Sequence, residues 1–108
     1  MEMSSRSREP RKRRFVDVDV AWLGSSPAAS ELGMTAFRPN EGVEGLFSVF
    51  VKFRNKDSGT QAWKQARVYA LTPNMQFKLP PKGEVLILAS GNAPLANYVV
   101  TNVAEEDS

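Results

Sequence analysis

The chain has 108 residues, 42% of them hydrophobic and 24% charged, which is the size and balance of one soluble globular domain with no room for a second. It contains no Cys and no His, which excludes disulfides, thiolate nucleophiles, imidazole bases and the usual zinc ligands. The formal net charge of +2 is unevenly held: residues 1–14 carry six basic residues against Glu2 and Glu9, leaving eight basic and ten acidic residues for the remainder, so the basicity belongs to one end and not to the body.

That end, MEMSSRSREPRKRR, has no apolar residue beyond two Met and is expected to be a flexible arm over residues 1–14. Arg6, Arg8, Arg11, Lys12, Arg13 and Arg14 are its candidate nucleic-acid contacts, because clustered Arg and Lys release counterions from a phosphate backbone without reading sequence. The same run also reads as a solubilising leader. No stretch approaches the roughly 18 apolar residues of a membrane helix. The basic start is followed by FVDVDV rather than by an apolar signal core, which reads as cytoplasmic.

Phe15 to Leu23, FVDVDVAWL, alternates with period two: Val16, Val18, Val20 and Trp22 on one face, Asp17 and Asp19 on the other, the pattern of a strand with one buried and one wet side. The D-x-D pair invites a metal reading, but hard cations want several more converging oxygens, and solubilising the wet face is the simpler role. Gly24 to Gly33 reads as a loop with Ser26 and Pro27 in Ncap and N1 order, and Met34 to Arg38 as a short strand stopped by Pro39. Leu46 to Arg54 is the strongest strand, with Phe47, Val49, Val51 and Phe53 on its apolar face. Phe50 breaks the pattern on the polar face, where it is either covered by another part of a closed fold or exposed as a contact.

Asn55 to Thr60 is a turn with Gly59 expected at the left-handed position. Its Asn-Lys-Asp superficially suggests a guanine-specificity motif, but the Asp is one residue early and the chain has no phosphate-binding loop, so that reading is rejected. Trp63 to Leu71 carries apolar bulk on both faces, as a central strand does. Met75 to Leu79 is a short extended piece, Pro80 to Gly83 a turn, and Glu84 to Ser90 an almost continuous apolar run expected to be buried on both sides. Leu95 to Val103 returns as its partner, and the acidic end, residues 104–108, is expected to be disordered. Six or seven short strands without a convincing helix make residues 15–103 an all-β domain: a small single β-barrel, with a β-sandwich as the alternative.

The order FVDVDVAWL, Ala36-Phe37-Arg38-Pro39, RVYALTPNMQF and EVLILASGNAPLANYVVTNV is similar to the C-terminal β-barrel domain of elongation factor Tu and related translational GTPases, from Phe15 to Val103. The resemblance implies the barrel scaffold as a stand-alone domain, with Arg38 fixed structurally against backbone carbonyls at a barrel corner. It does not carry over tRNA contacts: the family's basic loop is here SELGMT, and its R-E-G-G-R turn is here ASGNAP.

No carboxylate, Lys or Tyr falls into a constellation with an orienting partner, so the expectation is a non-enzymatic binding module with no metal and no cofactor. The first reading is a protein-interaction domain, a partner or inhibitor, with Phe50 and Trp63 as candidate contacts. The alternative is an RNA- or translation-associated module using the basic arm. A third reading is a subunit whose chemistry lies in another chain.

Overall fold

The computed structural model describes residues 12–71, 79–91 and 93–107. Six strands account for about two thirds of them: β1 (Lys12–Trp22), β2 (Glu31–Phe37), β3 (Phe47–Lys56), β4 (Trp63–Ala70), β5 (Val85–Ser90) and β6 (Ala93–Asp107), with one 3-10 turn at Gly42–Gly45. They close into an antiparallel barrel in the order β1-β4-β3-β2-β5-β6, with β6 returning to β1. The sandwich alternative is thereby decided against. Among the described residues no helix is long and apolar enough to cross a membrane.

Closure follows from alternation on every strand. Val16 and Val18 of β1, Phe47, Val49, Val51 and Phe53 of β3, Val68 of β4, Leu86 and Leu88 of β5, and Tyr98 and Val100 of β6 all point inward and are buried. A six-stranded barrel is narrow, because diameter grows with strand number, so bulky side chains cannot face one another at every level. Alanines relieve the crowding. Ala66 lies between Val18 and Phe53, Ala36 between Phe47 and Leu88, and Ala96 between Leu88 and Trp22 in the paired registers. Small beside large at successive positions fills a tapering interior without voids. Register shifts at Asp17/Val18 in the β1–β6 pairing and at Leu88/Ala89 in the β5–β6 pairing bend the strands where the sheet curls shut.

Several boundaries differ from the sequence expectation. β1 begins at Lys12 and β6 runs to Asp107, so Lys12, Arg13 and Arg14 are strand residues rather than arm, and residues 104–107 are strand rather than tail. The cause is mutual pairing: Lys12 lies opposite Asp107, Arg13 opposite Glu106 and Arg14 opposite Glu105, so each charged run finds the opposite sign across the ladder. β2 starts at Glu31 and includes Gly33, which had read as loop. In the β3–β4 turn the left-handed residues are Asn55 and Gln61, not Gly59. The Asp57 carboxylate accepts the N–H groups of Gly59 and Thr60, setting the turn by side chain rather than by glycine freedom, and those bonds hold its pKa below the usual value. β5 is buried at Leu86, Leu88 and Ala89 and half-buried at Ile87, while its ends, Val85 and Ser90, are exposed, so burial on both sides is confined to its middle. Residues 75–78 of the expected extended piece lie outside the described residues.

One interior group is out of keeping with its surroundings. The Tyr98 ring is fully buried, and its hydroxyl has no hydrogen-bond partner among the described residues. Burial raises its pKa well above the ordinary tyrosine value. A lone buried hydroxyl costs about 1–3 kcal/mol of desolvation, so Tyr98→Phe is expected to stabilise the barrel by about 1 kcal/mol in urea unfolding. Because the folded-state pKa is raised, the wild-type barrel holds its stability below pH 10 and loses part of it as pH climbs beyond; the variant's alkaline decline is expected to be shallower. Equal stability and an equal alkaline decline would place a partner on that hydroxyl.

Candidate functional site

Two surface features flank Phe50, which sits on the outer side of β3 opposite Gly33 of β2 and Tyr69 of β4. On the β2 side is a groove of about 590 Å³ reached by the loop after β1 and the turn between β5 and β6. Its apolar lining comes from Pro27, Leu32, Met34, Val49, Leu71 and Leu95, with the hydroxyls of Ser25, Ser26, Thr35, Ser48 and Ser90 among them and, among the described residues, no titratable side chain. Leu71 is half exposed beside it. Gly33 also lines the groove: no atom lies within 4 Å of the place a Cβ would take, and its backbone is not left-handed. The Thr35 hydroxyl, bonded to the Ala89 and Gly91 carbonyls, ties β2 to the β5–β6 turn and fixes that rim.

On the β4 side the outer wall of β3, β4, β1 and β6 carries a charged cluster over two aromatic rings. Phe15 and Tyr69 are paired in register with ring centroids 5.6 Å apart, and they point outward. They are nevertheless 5% and 2% exposed. The cover consists of cations: the Arg67 guanidinium lies 3.9 Å from the Phe15 ring centre, Arg13 4.4 Å from that of Tyr69, and the Lys52 ammonium 5.5 Å from the same ring. Long side chains thus lay their stems on apolar rings and present charge to water.

Carboxylates hold the cluster in place. Arg67 donates from Nε to Asp17 at 2.9 Å and approaches Glu106 at 3.8 Å, while Arg54 reaches Asp17 at 3.6 Å. The Asp17 carboxylate raises the Arg67 pKa beyond its already high value. The Tyr69 hydroxyl bonds to Glu106 at 3.1 Å, and its pKa is raised by burial first and by that carboxylate second. Lys52, Phe53, Arg54, Arg67, Tyr69 and Glu106 together line a smaller recess of about 260 Å³.

The residues singled out from sequence are therefore dispersed. Arg6, Arg8 and Arg11 lie outside the described residues. Arg13 stands on the charged wall, and Arg14 is paired opposite Glu105. Phe50 is half-buried, neither covered nor fully open, between the two features. Trp63 belongs to a packing cluster: its indole stacks on Phe53 at 6.0 Å and donates to the Pro27 carbonyl, while Trp22 donates to the Trp63 carbonyl. That arrangement plugs one end of the barrel. Arg38 follows the end of β2, where its guanidinium faces Glu41 at 3.7 Å and, among the described residues, no backbone carbonyl; its own carbonyl accepts the N–H groups of Glu41 and Gly42 and holds the corner. Sequence reading missed Gly33, Arg67, Lys52 and Tyr69. The aromatic-cation alternation of Phe15, Arg67 and Tyr69 was visible, but its meaning depends on a cross-strand register that local pattern does not supply.

No known protein family, curated protein or solved structure matches this chain.

The Asp17 network gives a direct test. Asp17 is largely buried and serves Arg67, Arg54 and Asn102, whereas Asp19 is exposed and accepts one long bond from Gln65. Asp17→Asn is expected to cost about 1–2 kcal/mol in urea unfolding, and Asp19→Asn under about 0.5 kcal/mol. Equal losses would mean that the wall is held by general charge and not by this node.

Proposed function

We propose that the chain is a non-enzymatic binding module that receives an apolar segment of a partner protein in the groove between β2, the loop after β1 and the β5–β6 turn. The observation that supports this reading is the groove's lining: among the described residues, six apolar side chains, five hydroxyls and no ionisable group. Such a surface favours burial of a Leu-, Phe- or Trp-like anchor and offers little to a phosphate or an acid-base reaction. Phe50 at its border is the contact residue of this reading, and Trp63 serves the scaffold beneath. Likeness to the C-terminal barrel of elongation factor Tu is part of the same proposal: it concerns the scaffold and names no ligand. A cytoplasmic setting is part of the same proposal.

Gly33 supplies the experiment. A leucine there fits the backbone and projects into open space, so Gly33→Leu is expected to hold or raise stability by up to about 1 kcal/mol while filling the groove. Panning the wild-type protein against a displayed random-peptide library is expected to enrich sequences sharing one large apolar residue, and Gly33→Leu is expected to bind none of them. Enriched peptides that bind both proteins alike, or no enrichment at all, would defeat the groove reading.

A further inference from the structure

The charged wall opposite the groove is a separate surface with its own chemistry. Four cations, Arg13, Lys52, Arg54 and Arg67, meet there with two carboxylates, Asp17 and Glu106. Asp17 is engaged by Arg54 and Arg67, and Glu106 by Arg67 and the Tyr69 hydroxyl. Arg13 and Lys52 have the Tyr69 ring as their contact and no ion pair among the described residues. Both flank one ring, so two cations are held close together on the strand surface, Arg13 opposite Glu106 and Lys52 opposite Glu31 in the ladders. In the sequence, the residues before β1 include three more cations, Arg6, Arg8 and Arg11.

We propose that this wall binds the phosphate backbone of nucleic acid without reading its bases, with Arg13, Lys52 and Arg54 as phosphate contacts and Glu106 as the intramolecular charge that the phosphates must outcompete. Charge complementarity carries the assignment. A run of cations leading onto a cationic wall suits an extended polyanion better than a single anionic group. Phe15 and Tyr69 are buried beneath the cations, so no ring is presented for base stacking, which makes the contact indifferent to sequence and sugar. The same burial keeps those two rings from entering a lipid surface, and vesicles in the test below separate nucleic acid from an anionic membrane. Arg67 is the positioning residue: bonded to Asp17 and lying on Phe15, it keeps the wall in shape. This inference is independent of the groove reading.

The test is fluorescence anisotropy of the full chain with labelled oligouridylate over a range of salt. Wild type is expected to bind with steep salt dependence, and oligodeoxythymidylate to compete equally. Arg13→Gln with Lys52→Gln is expected to weaken binding about tenfold and to lower the salt slope by about 1.4, two single-strand phosphate contacts at roughly 0.7 each. Glu106→Gln, which keeps an acceptor for Tyr69, is expected to tighten binding about threefold, and Gly33→Leu to leave it unchanged. Lys52 is exposed, so Lys52→Gln alone serves as the variant whose fold is not in question. The proposal is overturned if the double variant binds as wild type does, if all loss is reproduced by replacing Arg6, Arg8 and Arg11 alone, or if phosphatidylserine vesicles bind more tightly than oligouridylate.

Discussion

The structure depends on the ladder between β1 and β6. Without it the strands form an open sheet, β1-β4-β3-β2-β5-β6, with two raw edges and an uncovered apolar face. With it, every inward side chain of one strand acquires neighbours from across the interior, and the alanines become necessary spacers rather than weak strand formers. The bulge at Asp17/Val18 lies in this ladder, where the Thr101 hydroxyl bonds to the Asp17 carbonyl. Closure, curvature and the Asp17 network therefore share one short stretch of β1.

The outer surface is organised by the same ladder. Alternation that sends Val16 and Val18 inward sends Phe15 and Asp17 outward, beside Tyr69 and Arg67 of β4 and beside Ala104 and Asn102 of β6. Two large rings on an outer wall would be a liability if left bare. Covering them with guanidinium and ammonium groups turns an apolar patch into a charged one while retaining much of the area removed from water. The opposite choice was made around β2, where a glycine and small hydroxyl residues leave a hollow. Phe50 marks the line between a filled side and an empty side of the same wall.

Much of the barrel was legible because its strands state their period. FVDVDV and LFSVFVKF place buried and wet faces without ambiguity, and the turns between strands carry Pro, Gly and Asn. What was illegible has one physical origin: pairing between residues far apart in the chain. Local composition makes Lys12 to Arg14 and residues 104–107 look like solvated ends, and each is a strand because the other lies across from it. Gly33 looks like loop because glycine is a poor strand former, yet its place is set by pairing with Phe50. Tyr69 looks half-wet by alternation and is buried by cations supplied from β1 and β3. The groove could not be read at all, since its lining comes from four separate parts of the chain. The turn at Asp57 shows the reverse case, in which a local side chain overrode the expected role of Gly59.

The β1–β6 ladder also bears on how the molecule is made. β1 is the first described strand to be synthesised and β6 the last, so the closing pairs, from Lys12 with Asp107 to Trp22 with Ala96, join segments separated by the whole barrel. During translation β1 can meet β4 well before it can meet β6, and the half-built sheet carries an exposed β1 edge until synthesis reaches Ala96 and beyond. Such non-local pairing makes folding slow relative to helical proteins of this size. The alternating Asp17 and Asp19 then serve a second purpose, because acidic residues along a waiting edge discourage it from pairing with another nascent chain.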